Sequence, residues 1–207
     1  ETKPWKEVDS EIGYMNLNNI DKSQLEEAFR QFEDFKGIII DLRSYPRNID
    51  ADDIAKYLYP EKSIFIKALT STGPSYGEYI TSTALGFISN PFEAGKRNKS
   101  YFKGKVILLV DRGTASKAEW IGMAIQAAPN VTTIGEQTFG AVMNRNPIPL
   151  LDGTSIDFTG VGAFYPSGEG VQRKGLKLDV DIKESAVGYD QKLYLNTAIQ
   201  LIKASAN

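Results

Sequence analysis

One serine in this chain has a strand before it and a helix behind it, the setting in which a hydroxyl can do chemistry. Lys105-Val106-Ile107-Leu108-Leu109-Val110 is a run of strand-forming residues, and Asp111-Arg112-Gly113-Thr114 follows it with turn chemistry. Behind Ser116, the apolar residues Ile121, Ala124, Ile125 and Ala128 recur at helical spacing. The pattern puts Ser116 at the first turn of a helix, just past the C-terminal end of a buried strand. A hydroxyl there is exposed, ringed by N–H groups that no helical carbonyl reaches, and close to the positive end of the helix dipole. A serine that attacks a carbonyl and stabilises the resulting oxyanion needs those conditions. The same residues also have a plainer reading. Ser and Thr are favoured N-caps, and Gly113-Thr114-Ala115-Ser116 can do no more than begin a helix.

Composition limits the partners available to that serine. The 207 residues include no histidine and no cysteine, so disulfides, thiolate or imidazole metal sites and an internal Ser–His pair are all excluded. No cofactor and no metal are expected. A net charge of −2 with mixed signs speaks against nucleic acid or an anionic membrane surface as the main partner. No apolar stretch approaches the roughly 18 residues that span a bilayer, so membrane insertion is not expected. With 42% hydrophobic and 24% charged residues, the chain has the make-up of one globular domain over residues 1–207. It starts Glu1-Thr2-Lys3, without an initiator Met or a signal-like segment, and reads as a piece excised from a longer protein.

The elements that must position the serine follow from periodicity. Ile12 to Leu17 alternates as a strand. Asp21 and Gln24 have capping-box spacing, and Leu25, Ala28, Phe29, Phe32 and Phe35 make the apolar stripe of the helix that follows. Ile38-Ile39-Ile40-Asp41-Leu42 is a continuously apolar strand, as in a sheet covered on both faces. Residues 51–59 read as a short helix ended by Pro60, and Ser63 to Leu69 as a strand. From Thr70 to Lys103 the pattern weakens into a Gly-, Pro- and aromatic-rich stretch, either a lid or irregular packing. Val131 to Gly135 is a strand, and Asp152-Gly153 joins Asn146–Leu150 to Ser155–Phe158 as a hairpin. Val161 to Tyr165 is a further strand. Tyr189 to Lys203 closes the chain as a helix with Leu193, Ala198, Ile199 and Ile202 inward. Strand–helix alternation with all-apolar strands indicates an α/β fold with a largely parallel sheet. Ligands gather at the C-terminal strand ends of such sheets, where Asp41-Leu42-Arg43 and Asp111-Arg112-Gly113 both lie.

Several blocks in order resemble the C-terminal processing (tail-specific) serine peptidases. They are Gly37-Ile38-Ile39-Ile40-Asp41-Leu42-Arg43 with Pro46, Gly113-Thr114-Ala115-Ser116 with Glu119, and Ile134-Gly135-Glu136-Gln137-Thr138-Phe139-Gly140. Leu151-Asp152-Gly153, Tyr165-Pro166-Ser167-Gly168 and Gly175-Leu176-Lys177-Leu178-Asp179 continue the series. The resemblance implies a crotonase-like α/β spiral core with flanking helices, and Ser116 occupies the family's nucleophile position. It also implies a polypeptide substrate and an extracytoplasmic location. Two departures stand out. The tail-specific branch has a lysine directly after the Gly of the T-F-G block, where this chain has Ala141, and Arg145 stands where a Gln is expected. The oxyanion loop reads Asp41-Leu42-Arg43-Ser44-Tyr45-Pro46-Arg47-Asn48, without the two glycines after the proline.

A lysine-free block is closer to the branch that resembles the tricorn core and the interphotoreceptor retinoid-binding protein. Enzymes of that branch pair the serine with a histidine from an earlier segment and with a glutamate. The histidine would then come from an upstream domain of the same parent chain, and Glu136 and Glu169 are the acidic candidates. The oxyanion donors expected are the backbone N–H of Lys117 and that of Arg47 or Asn48. The Lys117 side chain should diverge from the hydroxyl, because neighbouring helical residues point about 100° apart. Glu119 is expected to support the turn, and Asp41 and Arg43 to form a structural clasp. Two functions compete. One is a serine endopeptidase core acting on unfolded or C-terminal segments, incomplete without its upstream partner. The other is a peptidase-like module that has lost catalysis and holds a peptide or an apolar ligand.

Overall fold

The computed structural model describes residues 3–71, 79–82, 92–182 and 190–205. In chain order its elements are β1 (Trp5–Asp9), β2 (Ile12–Asn16), α1 (Lys22–Gln31), β3 (Gly37–Asp41), α2 (Ala51–Leu58), β4 (Ser63–Ile64), β5 (Lys67–Ser71), β6 (Tyr79–Ser82) and β7 (Glu93–Ala94). They continue with β8 (Lys105–Val110), α3 (Lys117–Gln126), β9 (Val131–Gly135), β10 (Arg145–Pro149), β11 (Ser155–Thr159), β12 (Gly162–Phe164), β13 (Val180–Asp181) and α4 (Gln191–Ser205).

The main sheet runs β1-β2-β3-β8-β9-β13. The β1–β2 pair is antiparallel, and every pairing from β2 to β13 is parallel. The apolar strands read as they do because both sheet faces are covered. Ile38, Ile40, Val106, Leu108 and Val110 point into a core shared with α1, α2 and α3. Ile39, Ile107, Leu109 and Ile134 face the other way, onto Tyr194, Ala198 and Ile202 of α4. That helix buries Tyr194 and leaves Leu193 exposed, so the inward stripe is 194–198–202 and not one that includes Leu193. The i, i+4 spacing of those three residues is what decides it.

Local signals were accurate where the chain caps or turns itself. Asp21 accepts from the Gln24 N–H, and the Gln24 side chain accepts from the Asp21 N–H, which completes the capping box of α1. Phe35 lies beyond the end of α1 and is partly buried against the core. The expected strand over Ser63–Leu69 is two pieces, β4 and β5, divided by the buried pair Phe65 and Ile66. A second sheet, β12-β5-β6, forms away from the main one. The suggested lid over 70–103 falls in part on residues 72–78 and 83–91, outside the described residues. The β10–β11 hairpin forms as expected but pairs only with itself among the described residues. β1 carries no clear sequence signal, and its pairing with β2 supplies one sheet edge.

Candidate active site

The C-terminal ends of β3 and β8 meet at Ser116. Thr114, buried in the turn after β8, donates its hydroxyl to the Leu42 carbonyl at 3.2 Å. That bond ties the serine turn to the end of β3. Asp111 holds the turn from the strand side, with Oδ1 accepting from the Gly113 N–H at 2.8 Å and the Thr114 N–H at 3.1 Å. Burial pushes the Asp111 carboxyl above its ordinary value, against those hydrogen bonds and Arg43, which pull it down. At the next strand end, Arg43 grips Asp41 through Nε and Nη2 at 2.9 and 2.6 Å, and the Tyr14 hydroxyl donates to Asp41 at 2.7 Å. Burial and the neighbouring Asp41 charge raise the Tyr14 phenol, so it stays a donor. Asp41 and Arg43 form the structural clasp expected of them.

Ser116 stands at φ 56°, ψ −119° as the N-cap of α3. This lies outside the small left-handed well that a side chain tolerates, so the corner stores strain of order 1–3 kcal/mol. Its hydroxyl makes no capping hydrogen bond, which removes the plain N-cap reading of the residue. The side chain is exposed. It opens onto a cavity of about 480 Å³ lined by Tyr45, Asp50, Phe92, Lys117, Trp120 and the segment Val142–Asn144. The Lys117 N–H makes no backbone hydrogen bond among the described residues, as follows from its place in the first turn of α3. The Lys117 ammonium points away, 3.5 Å from the Arg47 carbonyl.

The other expected participants are placed differently. The Arg47 N–H donates to the Asn18 carbonyl at 3.3 Å, so in this structure it is committed to the neighbouring loop. Glu136 is ion-paired with Arg112 at 2.8 Å and Glu169 with Lys177 at 2.6 Å, and neither lines the Ser116 cavity. The Lys177 ammonium lowers the Glu169 carboxyl.

Glu119 has a larger part than its spacing suggested. Fully buried, it accepts from the Thr138 hydroxyl at 2.6 Å, the Gly140 N–H at 2.7 Å and the Ala141 N–H at 2.8 Å. It therefore pins the 138–141 loop onto α3 as well as occupying its own first turn, where a negative charge suits the helix dipole. The Phe139 N–H donates to the Thr114 carbonyl at 3.0 Å and adds a second tie. Gly140 turns the loop at φ 78°, where a Cβ would meet the Arg173 backbone at 2.9 Å. Trp120, one helical turn past Ser116, lines the cavity without having been singled out from the sequence; its i+4 spacing from the serine is the signal that points to it. Phe92 and Val142–Asn144 reach the cavity only through tertiary contacts. No three His, Cys, Asp or Glu side chains converge to hold a metal ion among the described residues.

A strained serine thus stands at a strand end of an α/β core, with a pinned loop beside it. Residues 11–182 match Peptidase family S41, and the chain belongs to that family. Among curated relatives, the carboxy-terminal processing protease CtpB of Bacillus subtilis is 23% identical over 180 residues, covering 84% of this chain and 34% of the relative. The carboxyl-terminal-processing protease of Synechocystis is 26% identical over 185 residues, covering 86% and 39%. The chain thus spans little more than a third of these relatives' length. The fold is shared with a putative peptidase from Parabacteroides merdae (TM-score 0.74, 18% identity, 96% of this chain and 63% of that one). It is also shared with the tricorn protease (TM-score 0.53, 21% identity, 95% and 18%). The expected α/β architecture with a mainly parallel sheet stands.

Proposed function

We propose that this chain is the core of a serine-type endopeptidase that acts on unfolded or C-terminal polypeptide segments through Ser116. The observation that carries this reading is the Ser116 corner, a positive-φ serine whose hydroxyl is unused, beside a free first-turn N–H and over a cavity. In the reaction, Ser116 Oγ bonds to the scissile carbonyl carbon while a base takes the hydroxyl proton. The Lys117 N–H stabilises the oxyanion. Collapse breaks the C–N bond, the base returns the proton to the leaving amine, and water then hydrolyses the acyl-enzyme.

This reading takes the base from an upstream segment of the parent. Position 141 is alanine, the chain has no histidine, and Lys117 reaches the Arg47 carbonyl. An upstream domain of the same parent would supply a histidine; the chain spans only 34% and 39% of the two curated relatives, as a piece of a longer protein would. The parent's location is proposed as extracytoplasmic. No helix among the described residues is long and apolar enough to cross a membrane.

The missing base also favours a second reading, a peptidase-like module that binds a polypeptide in the old cleft without cutting it. A fluorophosphonate probe separates the two when applied to this chain and to the longer parent. The enzyme reading expects Ser116 to be labelled in the parent and Ser116→Ala to abolish both labelling and cleavage of an unfolded protein. Cleavage retained by that variant overturns the nucleophile assignment. A parent that neither labels nor cleaves leaves the binding module.

A further inference from the structure

The β10–β11 hairpin is unlike the rest of the molecule. Its register pairs Asn146 with Phe158 and Ile148 with Ile156, which puts these four residues on one face together with Leu150. The opposite face carries Arg145, Pro147, Pro149, Ser155, Asp157 and Thr159, with Arg145 ion-paired to Asp157 at 2.9 Å. Ile148, Leu150, Ile156 and Phe158 are 49%, 41%, 56% and 47% exposed. An apolar face that no described element covers is normally a liability in a soluble domain.

The backbone edges of the hairpin differ from one another. The Leu150 N–H donates to the Thr154 carbonyl at 2.8 Å, which sets the phase of the ladder. Pairs 148–156 and 146–158 then exchange hydrogen bonds, and pairs 145–159, 147–157 and 149–155 turn their backbone groups outward. On β10 those outward positions are Arg145, Pro147 and Pro149, of which the two prolines have no N–H to offer. On β11 they are Ser155, Asp157 and Thr159, each keeping a donor and an acceptor. Among the described residues β11 pairs with no strand besides β10. A side chain reaches that edge at Thr159, whose hydroxyl accepts from Gln172 Nε2 at 3.3 Å. The β10 edge keeps one outward donor, at Arg145, and the β11 edge keeps three, so among the described residues β11 is the edge open to strand addition.

We infer that the open edge of β11, with the apolar face beside it, docks an extended polypeptide strand of alternating apolar residues. Three observations select this occupant. With Leu151 at the tip, which is fully exposed, the apolar area is on the order of 600 Å², short of the roughly 800 Å² that each partner gives to a stable complex, so the apolar face alone does not hold a second copy. A strand added at Ser155, Asp157 and Thr159 gains its affinity from main-chain hydrogen bonds instead and needs only a small apolar face. The hairpin is also continuous with the site, because Val142, Met143 and Asn144 line the Ser116 cavity and Arg145 begins β10. Glu119 anchors its root through Gly140 and Ala141. Calling the docked strand a substrate rests on the peptidase reading; the docking itself does not.

The test uses Ser116→Ala, to prevent turnover, and a fluorescein-labelled octapeptide in which valine or isoleucine alternates with threonine between terminal lysines. Fluorescence anisotropy should report saturable binding. Asp157→Pro removes an outward N–H without touching a ladder bond and should weaken binding at least tenfold, as should Ser155→Pro. Phe158→Ser should weaken it several-fold, and Pro147→Ala should leave it unchanged. Circular dichroism confirms that each variant remains folded. Equal binding by Ser116→Ala alone and by Ser116→Ala carrying Asp157→Pro or Ser155→Pro overturns the inference. So does a dimer by light scattering that Phe158→Ser converts to monomer, since the face would then be a self-interface. Peptide binding without fluorophosphonate labelling of Ser116 in the longer parent keeps the strip and rejects the hydrolase; labelling without edge-dependent binding does the reverse.

Discussion

The two ends of α3 each open onto a cavity of similar size, yet they differ in chemistry. At the N-terminal end about 480 Å³ lies beside Ser116; at the C-terminal end about 450 Å³ lies beside Gln126, Ala127, Tyr165 and Lys177. The second cavity is walled by polar groups that satisfy one another. Gln126 Nε2 donates to the Thr133 hydroxyl and to the Lys177 carbonyl, both at 2.8 Å. Gln126 Oε1 accepts from the Tyr165 hydroxyl at 2.6 Å, and that hydroxyl accepts from the Lys177 N–H at 3.1 Å. Burial pushes the Tyr165 phenol up to about 12 and keeps it a donor. At the serine end, the hydroxyl and the first N–H are left unspent and the backbone is strained. Volume does not separate a site from a packing gap, whereas unspent polar groups held in place do.

The largest effect should come from removing what holds the serine end together. Glu119→Ala leaves the Gly140 N–H, the Ala141 N–H and the Thr138 hydroxyl without their acceptor, all at a buried carboxylate. We expect a loss of about 3 kcal/mol by urea denaturation, together with slower fluorophosphonate labelling of Ser116 in the parent. Unchanged stability would mean that the loop is not pinned through Glu119.

Gln126→Ala probes the satisfied end. It breaks the Tyr165–Gln126–Thr133 network and should cost about 1–2 kcal/mol while leaving the labelling rate of Ser116 in the parent untouched. A parallel fall in labelling would show that the two ends of α3 are coupled, and the contrast between them would fail.

Ser116 itself supplies a smaller and more diagnostic difference. Glycine tolerates positive φ and alanine does not, so Ser116→Gly should be more stable than Ser116→Ala by about 1 kcal/mol in thermal or urea unfolding. Equal stabilities would mean that the corner carries no strain.

The smallest effect is a pH slope. Burial raises Asp111 above 3.8, so the folded protein holds that proton more tightly than the unfolded chain does. The stability this contributes is complete below the unfolded value and is lost as pH rises through the folded one. Asp111→Asn keeps an acceptor for the Gly113 and Thr114 N–H groups and should remove that downward slope. Urea midpoints between about pH 3 and pH 7 would reveal it. Exposed Asp21, lowered by the Gln24 N–H, gives the opposite slope, its contribution fading as pH falls through its folded value.

Local chemistry was legible in the sequence and distant chemistry was not. The capping box at Asp21 and Gln24, the turn at Asp152-Gly153, the continuously apolar β3 and β8 and the serine after the β8 turn each depend on residues a few positions apart. Periodicity and turn preference record such relations directly. Two blocks of the motif series, Glu119 and Thr138–Ala141, were visible as residues, but no local rule joins a helix to a loop beyond the next strand. Only the fold brings that carboxylate onto those N–H groups. It also commits the Arg47 N–H to Asn18, pairs Glu136 and Glu169 with Arg112 and Lys177, and sets Phe92 and Val142–Asn144 around the cavity. The inward stripe of α4 leaves out Leu193 for a related reason, because packing on the sheet chose the helix's rotation. By itself the sequence determined which residues could react and which elements they would sit on. Tertiary structure decided which polar groups stay unspent, because a donor is free or taken only once every partner within reach of it has been placed.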